Sequence, residues 1–155
     1  MWDRRAITVL FLSFLLLAFA SPAAAQVKNQ FGLRAGISGS PGQAYLGAHI
    51  DLKAITSRIW FRPSAEFGVG DGSFLFMGNP EVVYFWRGTS HEWLPYAGVG
   101  PSFVAQVFRS GQGESKIGPG VNFIAGVKER KGLLIEVKVG ALDSPGFKAG
   151  LGWTW

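Results

Sequence analysis

Hydrophobic and polar residues alternate with a period of two along most of the chain after residue 30. Between residues 31 and 38, for example, Phe31, Leu33, Ala35 and Ile37 share one parity, whereas glycine, arginine and serine fill the other. Successive side chains of a β-strand point to opposite faces, so this period predicts strands with one apolar and one polar face. The pattern predicts eight such strands, at residues 31–38, 44–52, 58–69, 79–87, 94–107, 120–128, 133–140 and 147–155.

Turn-forming residues cluster between the predicted strands. Gly, Pro, Ser, Asp and Lys are enriched there, as expected for connections. The gaps alternate between two ends of the predicted structure. One end receives the more varied connections, at 39–43, 70–78, 108–119 and 141–146, and the other the generally tighter ones, at 53–57, 88–93 and 129–132.

The two faces of the predicted strands differ in bulk as well as in polarity. The apolar face carries Phe, Leu, Ile, Val and Trp, and the other carries Gly, Ser and Thr beside charged residues. The bore of an eight-stranded barrel has little room for large side chains. We therefore predict an all-β fold, an eight-stranded antiparallel up-and-down transmembrane β-barrel with its apolar face towards lipid. The alternative is a soluble sandwich or lipocalin-like barrel, with the apolar side chains inside.

Charged residues on the polar face predict an ion-paired lumen. A tight hairpin at 53–56 would place Asp51 opposite Arg58 and Gly47 opposite Arg62, with like faces matched throughout. Buried charge is tolerated only when it is paired. The candidate lumen residues are Arg34, Asp51, Arg58, Arg62, Glu66, Glu81, Arg87, Lys128, Glu136, Lys138 and Lys148.

The first residues have the features of an export signal. A basic start with Arg4 and Arg5 precedes an apolar stretch over 6–20 and a small-residue cleavage site ending at Ala25. The residues around the arginine pair fit the twin-arginine motif poorly, which favours the Sec route. We predict a signal peptide over residues 1–25 and an outer-membrane barrel domain over 26–155. With an even number of strands and periplasmic termini, the more varied connections would be extracellular.

Composition agrees with this location and argues against other classes. The chain has 22 Gly, 14% aromatic and only 16% charged residues, and no Cys. The full chain has 15 Lys and Arg and 10 Asp and Glu. Removing the signal removes Arg4, Arg5 and Asp3, which leaves 13 basic and 9 acidic residues. These cations are scattered, so we expect no nucleic-acid binding. No segment after the signal reaches 18 consecutive apolar residues, which excludes transmembrane helices.

The tryptophans after the signal fall near the predicted periplasmic ends of the strands, as in an interfacial girdle. Trp60 is expected to point inward, Trp93 to lie in a turn and the others to point outward. The set is Trp60, Trp86, Trp93, Trp153 and Trp155.

The last strand resembles a known assembly signal. Residues 147–155, Phe-Lys-Ala-Gly-Leu-Gly-Trp-Thr-Trp, alternate and end in an aromatic residue, like the C-terminal β-signal of outer-membrane proteins. Together with Pro95-Tyr-Ala-Gly-Val-Gly100, this segment is similar to small barrels related to the OmpA membrane domain and the opacity proteins. The residues that match the signal are Phe147, Leu151, Trp153 and Trp155.

This resemblance implies particular partners rather than one activity. It implies insertion by the outer-membrane assembly machinery after escort by periplasmic chaperones. We also expect the protein to contact the outer-membrane bilayer and lipopolysaccharide and to be a monomer. Relatives serve as tethers, adhesins, narrow pores or enzymes.

Residues suited to catalysis are few. Lipid A deacylases of this size carry a His and a Ser two positions apart on a strand, but His49-Ile-Asp51 has no such Ser, and His91 falls in a predicted periplasmic turn. Palmitoyl transferases begin with an amphipathic helix, for which residues 26–30 leave no room. His49 shares the lumen face with Ser64, which the predicted hairpin places opposite Tyr45 and too far away for a hydrogen bond.

The sequence therefore predicts a membrane barrel with a structural, adhesive or envelope-integrity role. We expect no catalytic, metal or cofactor site, because no metal-ligand cluster, phosphate loop or dinucleotide motif is present. The main alternative is a narrow pore or small-ligand channel. Less favoured are a lipid A deacylase-like enzyme and a secreted lipocalin-like binder.

Overall fold

The computed structural model describes residues 29–53, 56–86, 92–109 and 113–155. They form eight antiparallel strands that close into a single barrel, in which each strand pairs with its neighbours in sequence and the first with the last. The predicted fold class is confirmed. The predicted signal peptide, His91 and Arg87 lie outside the described residues. The strands are β1 (Gln30–Gly39), β2 (Gln43–Lys53), β3 (Ile59–Gly70), β4 (Ser73–Phe85), β5 (Trp93–Phe108), β6 (Lys116–Glu129), β7 (Leu133–Leu142) and β8 (Phe147–Thr154).

The apolar face of the strands forms the outer surface. Ile37, Leu46, Phe123 and Leu151 are each more than half exposed, whereas charged residues of the opposite parity are buried inside. A soluble lipocalin-like barrel would have the reverse arrangement. An apolar surface of this extent marks contact with lipid or protein rather than with water. The predicted assignment of the two faces is therefore confirmed.

The predicted register between β2 and β3 is wrong by four residues. His49 pairs with Ser64 and Leu52 pairs with Phe61, so Asp51 lies across from Arg62 and not from Arg58. The connection is longer than a tight hairpin because Thr56 organises it: the Thr56 hydroxyl accepts hydrogen bonds from the backbone N–H of Arg58 and Ile59, both at 3.2 Å. The shift is even, so the side chains of the paired residues in β2 and β3 keep their faces.

Strand β4 begins six residues earlier than predicted. Asp71 and Gly72 form a two-residue turn with φ angles of 42° and 64°, both in the left-handed region. Asp-Gly is favoured at this kind of turn because its tight geometry requires positive φ. The expected loop over 70–78 is therefore largely strand, and Leu75 and Met77 are buried inside the barrel.

The barrel has two distinct ends. We call the end at which β1 leads to β2, β3 to β4, β5 to β6 and β7 to β8 the loop end, and the end at which β1 begins and β8 ends the terminal end. At the loop end, Leu142 adopts a φ of 62° and is turned outward. The chain then folds inward, so that Ser144 and Pro145 are buried. No helix among the described residues is long and apolar enough to cross a membrane.

Candidate functional site

Among the described residues, the lumen holds nine buried charged side chains, and all nine were candidates from the sequence. Five are cationic and four anionic, and each is at most 7% exposed. Alternation along the strands places them inside, and the closed barrel brings strands that are distant in sequence across from one another. They are Arg34, Asp51, Arg62, Glu66, Glu81, Lys128, Glu136, Lys138 and Lys148.

Arg34 lies at the centre of this network. Its guanidinium donates to Glu66 at 2.5 Å and to Glu136 at 2.8 Å, and it lies 3.9 Å from Glu81. A planar guanidinium can serve several carboxylates because its five N–H donors point in fixed directions. Arg34 also donates to the Ser64 hydroxyl at 2.7 Å. One residue of β1 thus links strands β3, β4 and β7.

Two lysines complete the network towards the loop end. Lys138 is hydrogen-bonded to Glu81 and lies 3.1 Å from Glu66, and Lys148 is hydrogen-bonded to Glu66. The Lys148 ammonium also lies 5.2 Å from the centre of the Tyr45 ring, within the range of a cation–π contact. Glu66 therefore meets three cations.

Towards the terminal end, Arg62 and Asp51 form the corrected pair. The Arg62 Nε donates to Asp51 at 2.5 Å, and Lys128 lies 3.1 Å from the same carboxylate. Arg62 also reaches Glu136 at 3.2 Å and lies 4.8 Å from the centre of the Tyr96 ring. Ion pairs thus connect the two parts of the network through Glu136.

Of the two remaining candidates, Arg87 lies outside the described residues, and Arg58 is not in the lumen. It is exposed at the terminal end, and its guanidinium contacts Tyr84 on the outer surface. The longer connection before β3 explains the error, because it leaves Arg58 in a bend outside the paired strand.

Polar groups that the sequence did not single out complete the lumen. The Tyr96 hydroxyl donates to Glu136 at 2.7 Å, and Asn122 donates to Asn79 at 3.0 Å. The Ser102 and Ser144 hydroxyls share a hydrogen bond. Their parity on the strands was the available signal for Asn79, Ser102 and Asn122, but only the register shows which of them meet.

Apolar layers lie on both sides of the charged network. At the loop end, Leu75, Met77 and Val104 pack together. At the terminal end, Trp60 and Leu94 pack against a buried cluster of five residues. That cluster consists of Val83, Phe85, Tyr96, Ile124 and Leu134.

A shallow cavity of about 200 Å³ opens at the terminal end. Trp60 and Phe85 line its apolar part, and Asp51 and Lys128 line its polar part. The Lys128 ammonium already bonds Asp51 and donates to Gln30 at 2.6 Å. Three of the polar residues at the cavity, Gln30, Asp51 and Lys128, are thus bonded to one another.

His49 and Ser64 are closer together than expected, because they are direct partners across β2 and β3. They still do not form a nucleophile and base. The Ser64 hydroxyl accepts from Arg34 and from Asn79, and His49 Nε2 lies 3.3 Å from the Thr154 hydroxyl. Both side chains face the lumen rather than lipid. Among the described residues, no group of three or more His, Asp or Glu is placed to hold a metal ion.

The tryptophans of the described part of the chain all lie near the terminal end. Trp86, Trp153 and Trp155 are exposed on the outer surface, and Trp60 points inward against Phe85, as predicted. Trp93 differs from the prediction, because it is the first residue of β5 and not part of a turn. The four residues that match the assembly signal are all exposed on the outer surface: Phe147, Leu151, Trp153 and Trp155.

Comparison with solved structures identifies proteins with the same fold. The N-terminal β-barrel domain of Pseudomonas aeruginosa OprF superposes with a TM-score of 0.65 at 13% identity, over 82% of this chain and 96% of that one. Neisserial surface protein A superposes with a TM-score of 0.64 at 11% identity, over 81% and 94%. The outer membrane enzyme PagL follows, with a TM-score of 0.52 at 14% identity, over 81% and 97%.

Neither a protein-family model nor a curated protein sequence matches the chain. At identities of 11–14%, the structural similarities establish the fold and not the activity. The aligned chains are covered almost completely, so the barrel corresponds to a whole domain of each. The chain has the eight-stranded β-barrel fold of small outer-membrane proteins.

Proposed function

We propose that this chain is an integral protein of a bacterial outer membrane whose closed barrel has a structural, adhesive or envelope-integrity role. The observation that carries the proposal is the combination of an apolar outer surface with a lumen filled by paired charges. The first suits lipid, and the second leaves little space for a solute. The protein would reach the membrane through the Sec route and the outer-membrane assembly machinery, after escort by periplasmic chaperones. There it would act as a monomer in contact with phospholipid and lipopolysaccharide.

The side chains inside the barrel favour a closed lumen over a pore. Ser144 and Pro145 fold into the loop end, the Arg34 network spans the middle, and an apolar cluster lies at the terminal end. An ion crossing the barrel would have to displace each of these layers in turn. Separating buried ion pairs exposes uncompensated charge, which is costly in a low-dielectric interior.

Planar-bilayer recording tests this proposal. We expect purified protein to give no stepwise conductance above the bare membrane. A variant that widens only the charged layer, Tyr45→Ala with Lys148→Ala, should also give no steps, because the layers at the two ends remain. Heat-modifiable migration on cold gels verifies that both proteins are folded. Sustained conductance steps from the wild-type protein would support the pore alternative.

Location is tested separately by cell fractionation. We expect the mature protein to accumulate with the outer membrane, and its apparent size to change when the sample is heated. A soluble periplasmic pool as the major species would exclude an integral membrane role.

The similarity to an enzyme does not favour catalysis in this chain. PagL shares the fold, but here the Ser64 hydroxyl is hydrogen-bonded to Arg34 and Asn79, and His49 Nε2 lies beside the Thr154 hydroxyl, both inside the lumen. A lipid-modifying site must be reachable from the bilayer. His49, the one histidine of the described residues, is buried inside the barrel and does not reach the outer surface.

A further inference from the structure

Arg58 is displaced from the lumen to the outer surface, where it meets an aromatic side chain. Its Nη1 donates to the Tyr84 hydroxyl at 3.3 Å. The Arg58 backbone carbonyl accepts a hydrogen bond from Phe85 N–H at 2.9 Å, which fixes this residue against the end of β4. The arginine therefore has a defined position at the rim of the barrel.

Tyr84 and Trp86 extend this position across the outer face. They share the parity of Val82, which is exposed on that face. Their rings form an edge-to-face pair, with centroids 5.3 Å apart and planes inclined by 80°. Trp86 is about half exposed. The edge-to-face contact holds the tryptophan beside the tyrosine that Arg58 contacts.

These three side chains present donors to the surroundings and lack an anionic partner. Further guanidinium N–H groups of Arg58, the Tyr84 O–H and the Trp86 indole N–H can all donate. Among the described residues, no carboxylate lies within ion-pair distance of Arg58. In this respect Arg58 differs from the arginines of the lumen. A group with several acceptor oxygens and negative charge complements such a set.

The position of Arg58, Tyr84 and Trp86 on the barrel indicates which molecule supplies the anionic group. The set lies at the terminal end, where Trp153 and Trp155 are also exposed on the outer surface. Exposed tryptophans of membrane proteins concentrate at the level of the lipid headgroups. We propose that Arg58, Tyr84 and Trp86 bind the phosphate of a glycerophospholipid in the periplasmic leaflet. This inference rests on the proposed membrane location.

Native mass spectrometry can test the site with defined lipids. The folded protein is released from micelles containing dioleoylphosphatidylglycerol, and the fraction that retains lipid is measured for wild type, Arg58→Gln and Arg130→Gln. Arg130 is an exposed arginine at the same end, beside the lumen cavity, so its loss changes the charge equally. Removing Arg58 should reduce retention about tenfold, the size expected when one hydrogen bond to a charged phosphate is lost. Removing Arg130 should leave retention unchanged.

Three results would overturn the site. The first is equal retention by wild type and Arg58→Gln, and the second is an equal loss in Arg130→Gln. The third is equal retention of dioleoylglycerol, which lacks the phosphate. In a parallel arm, stronger retention of lipid A than of phosphatidylglycerol would overturn the assignment to the periplasmic leaflet. Heat-modifiable migration is checked first, because failure of the wild type to fold in lipid would count against the proposed function, whereas a folded barrel without retention counts against this site alone.

Discussion

At the scale of single residues, the lumen charges depend on the partner that each one meets. Asp51 is completely buried and contacts Arg62 and Lys128. Removing one member of a buried pair costs about 3–5 kcal/mol, mainly because the other charge is left uncompensated. The free-energy cost of removing two lumen residues, singly and together, therefore shows whether those two residues are paired.

We predict strong coupling between Asp51 and Arg62. Each single change, Asp51→Ala or Arg62→Ala, should destabilise the barrel clearly, and the double change should cost less than the sum by about 1 kcal/mol or more. Urea unfolding in liposomes measures all variants on one scale.

Arg58 provides the control for this cycle. It lies outside the lumen, so Asp51→Ala and Arg58→Ala should be additive within about 0.5 kcal/mol. If Asp51 were coupled to Arg58 and not to Arg62, the register of the tight hairpin predicted from the sequence would be correct, and the observed register would be wrong.

Alternation predicted which residues within the strands face the lumen, but it failed for Arg58, which lies just before β3, and it could not predict which residues meet inside. A register error of an even number of residues keeps every side chain on its face, so the Arg58 and Arg62 alignments satisfied the pattern equally well. The sequence also could not show why particular lumen positions must be glycine, because the reason lies in contacts between strands. Gly126 is needed because a Cβ there would lie 2.6 Å from the Tyr96 hydroxyl, and Gly150 because one would overlap the Tyr45 hydroxyl. Both contacts come from other strands.

At the scale of strands, three prolines form a row on the outer face of the sheet. Pro63 pairs with Pro80, and the register between Gly78–Phe103 and Val82–Val99 places Pro80 opposite Pro101. The bridge pairs are interrupted around Pro80 and Pro101, and again beside Pro63 on its β2 side. Proline has no N–H to donate. The β3–β4 hairpin is therefore flanked by two local gaps in the ladder.

We predict that Pro80→Val closes the gap between β4 and β5. Trp86 N–H bonds the Pro95 carbonyl of β5, so residue 80, of the same parity, also directs its nitrogen towards β5. The restored hydrogen bond contributes about 0.5–1.5 kcal/mol, and the lost rigidity of proline in the unfolded chain costs about 0.4–1 kcal/mol. Global stability should hardly change. Amide hydrogen exchange at Val82 and Val99 should become slower.

Pro119→Val is the matched control for this change. Pro119 also lies in a strand, but the pairing of β6 with β7 begins only at Gly120, so a new N–H there has no partner in that ladder. Exchange at Val82 and Val99 should be unaffected. Equal slowing by both substitutions would show that proline removal acts through something other than the β4–β5 ladder.

The existence of the strands was easier to predict than their ends. All eight follow from the period of two, whereas β4 was predicted to begin at residue 79 because the glycines between 70 and 78 favoured a loop. Asp71-Gly72 was the sequence signal for a tight turn, and its two positive φ angles allow the strands on either side to continue to it. The Asp71-Gly72 turn thus allows β4 to begin at Ser73, although the glycine content of the segment favoured a loop.

At the scale of the whole molecule, closure explains why an apolar surface and a charged interior coexist. A closed barrel leaves no strand edge unpaired in hydrocarbon, and the lumen charges compensate one another. The sequence predicted this architecture because lipid and lumen impose opposite demands on alternate residues. The physiological role could not be predicted in the same way, because the fold supports many activities and no sequence motif selects one.

The most direct test of the central claim is the cost of a charge at two heights of the outer face. Val137 lies in the middle of β7, and Leu142 lies at its loop end and is turned outward. If the barrel spans the bilayer, Val137→Arg should lower the free energy of unfolding in liposomes by about 2–4 kcal/mol, and Leu142→Arg by about 0–1 kcal/mol. Equal and small effects of both substitutions would mean that the outer face does not contact lipid, and would contradict the account.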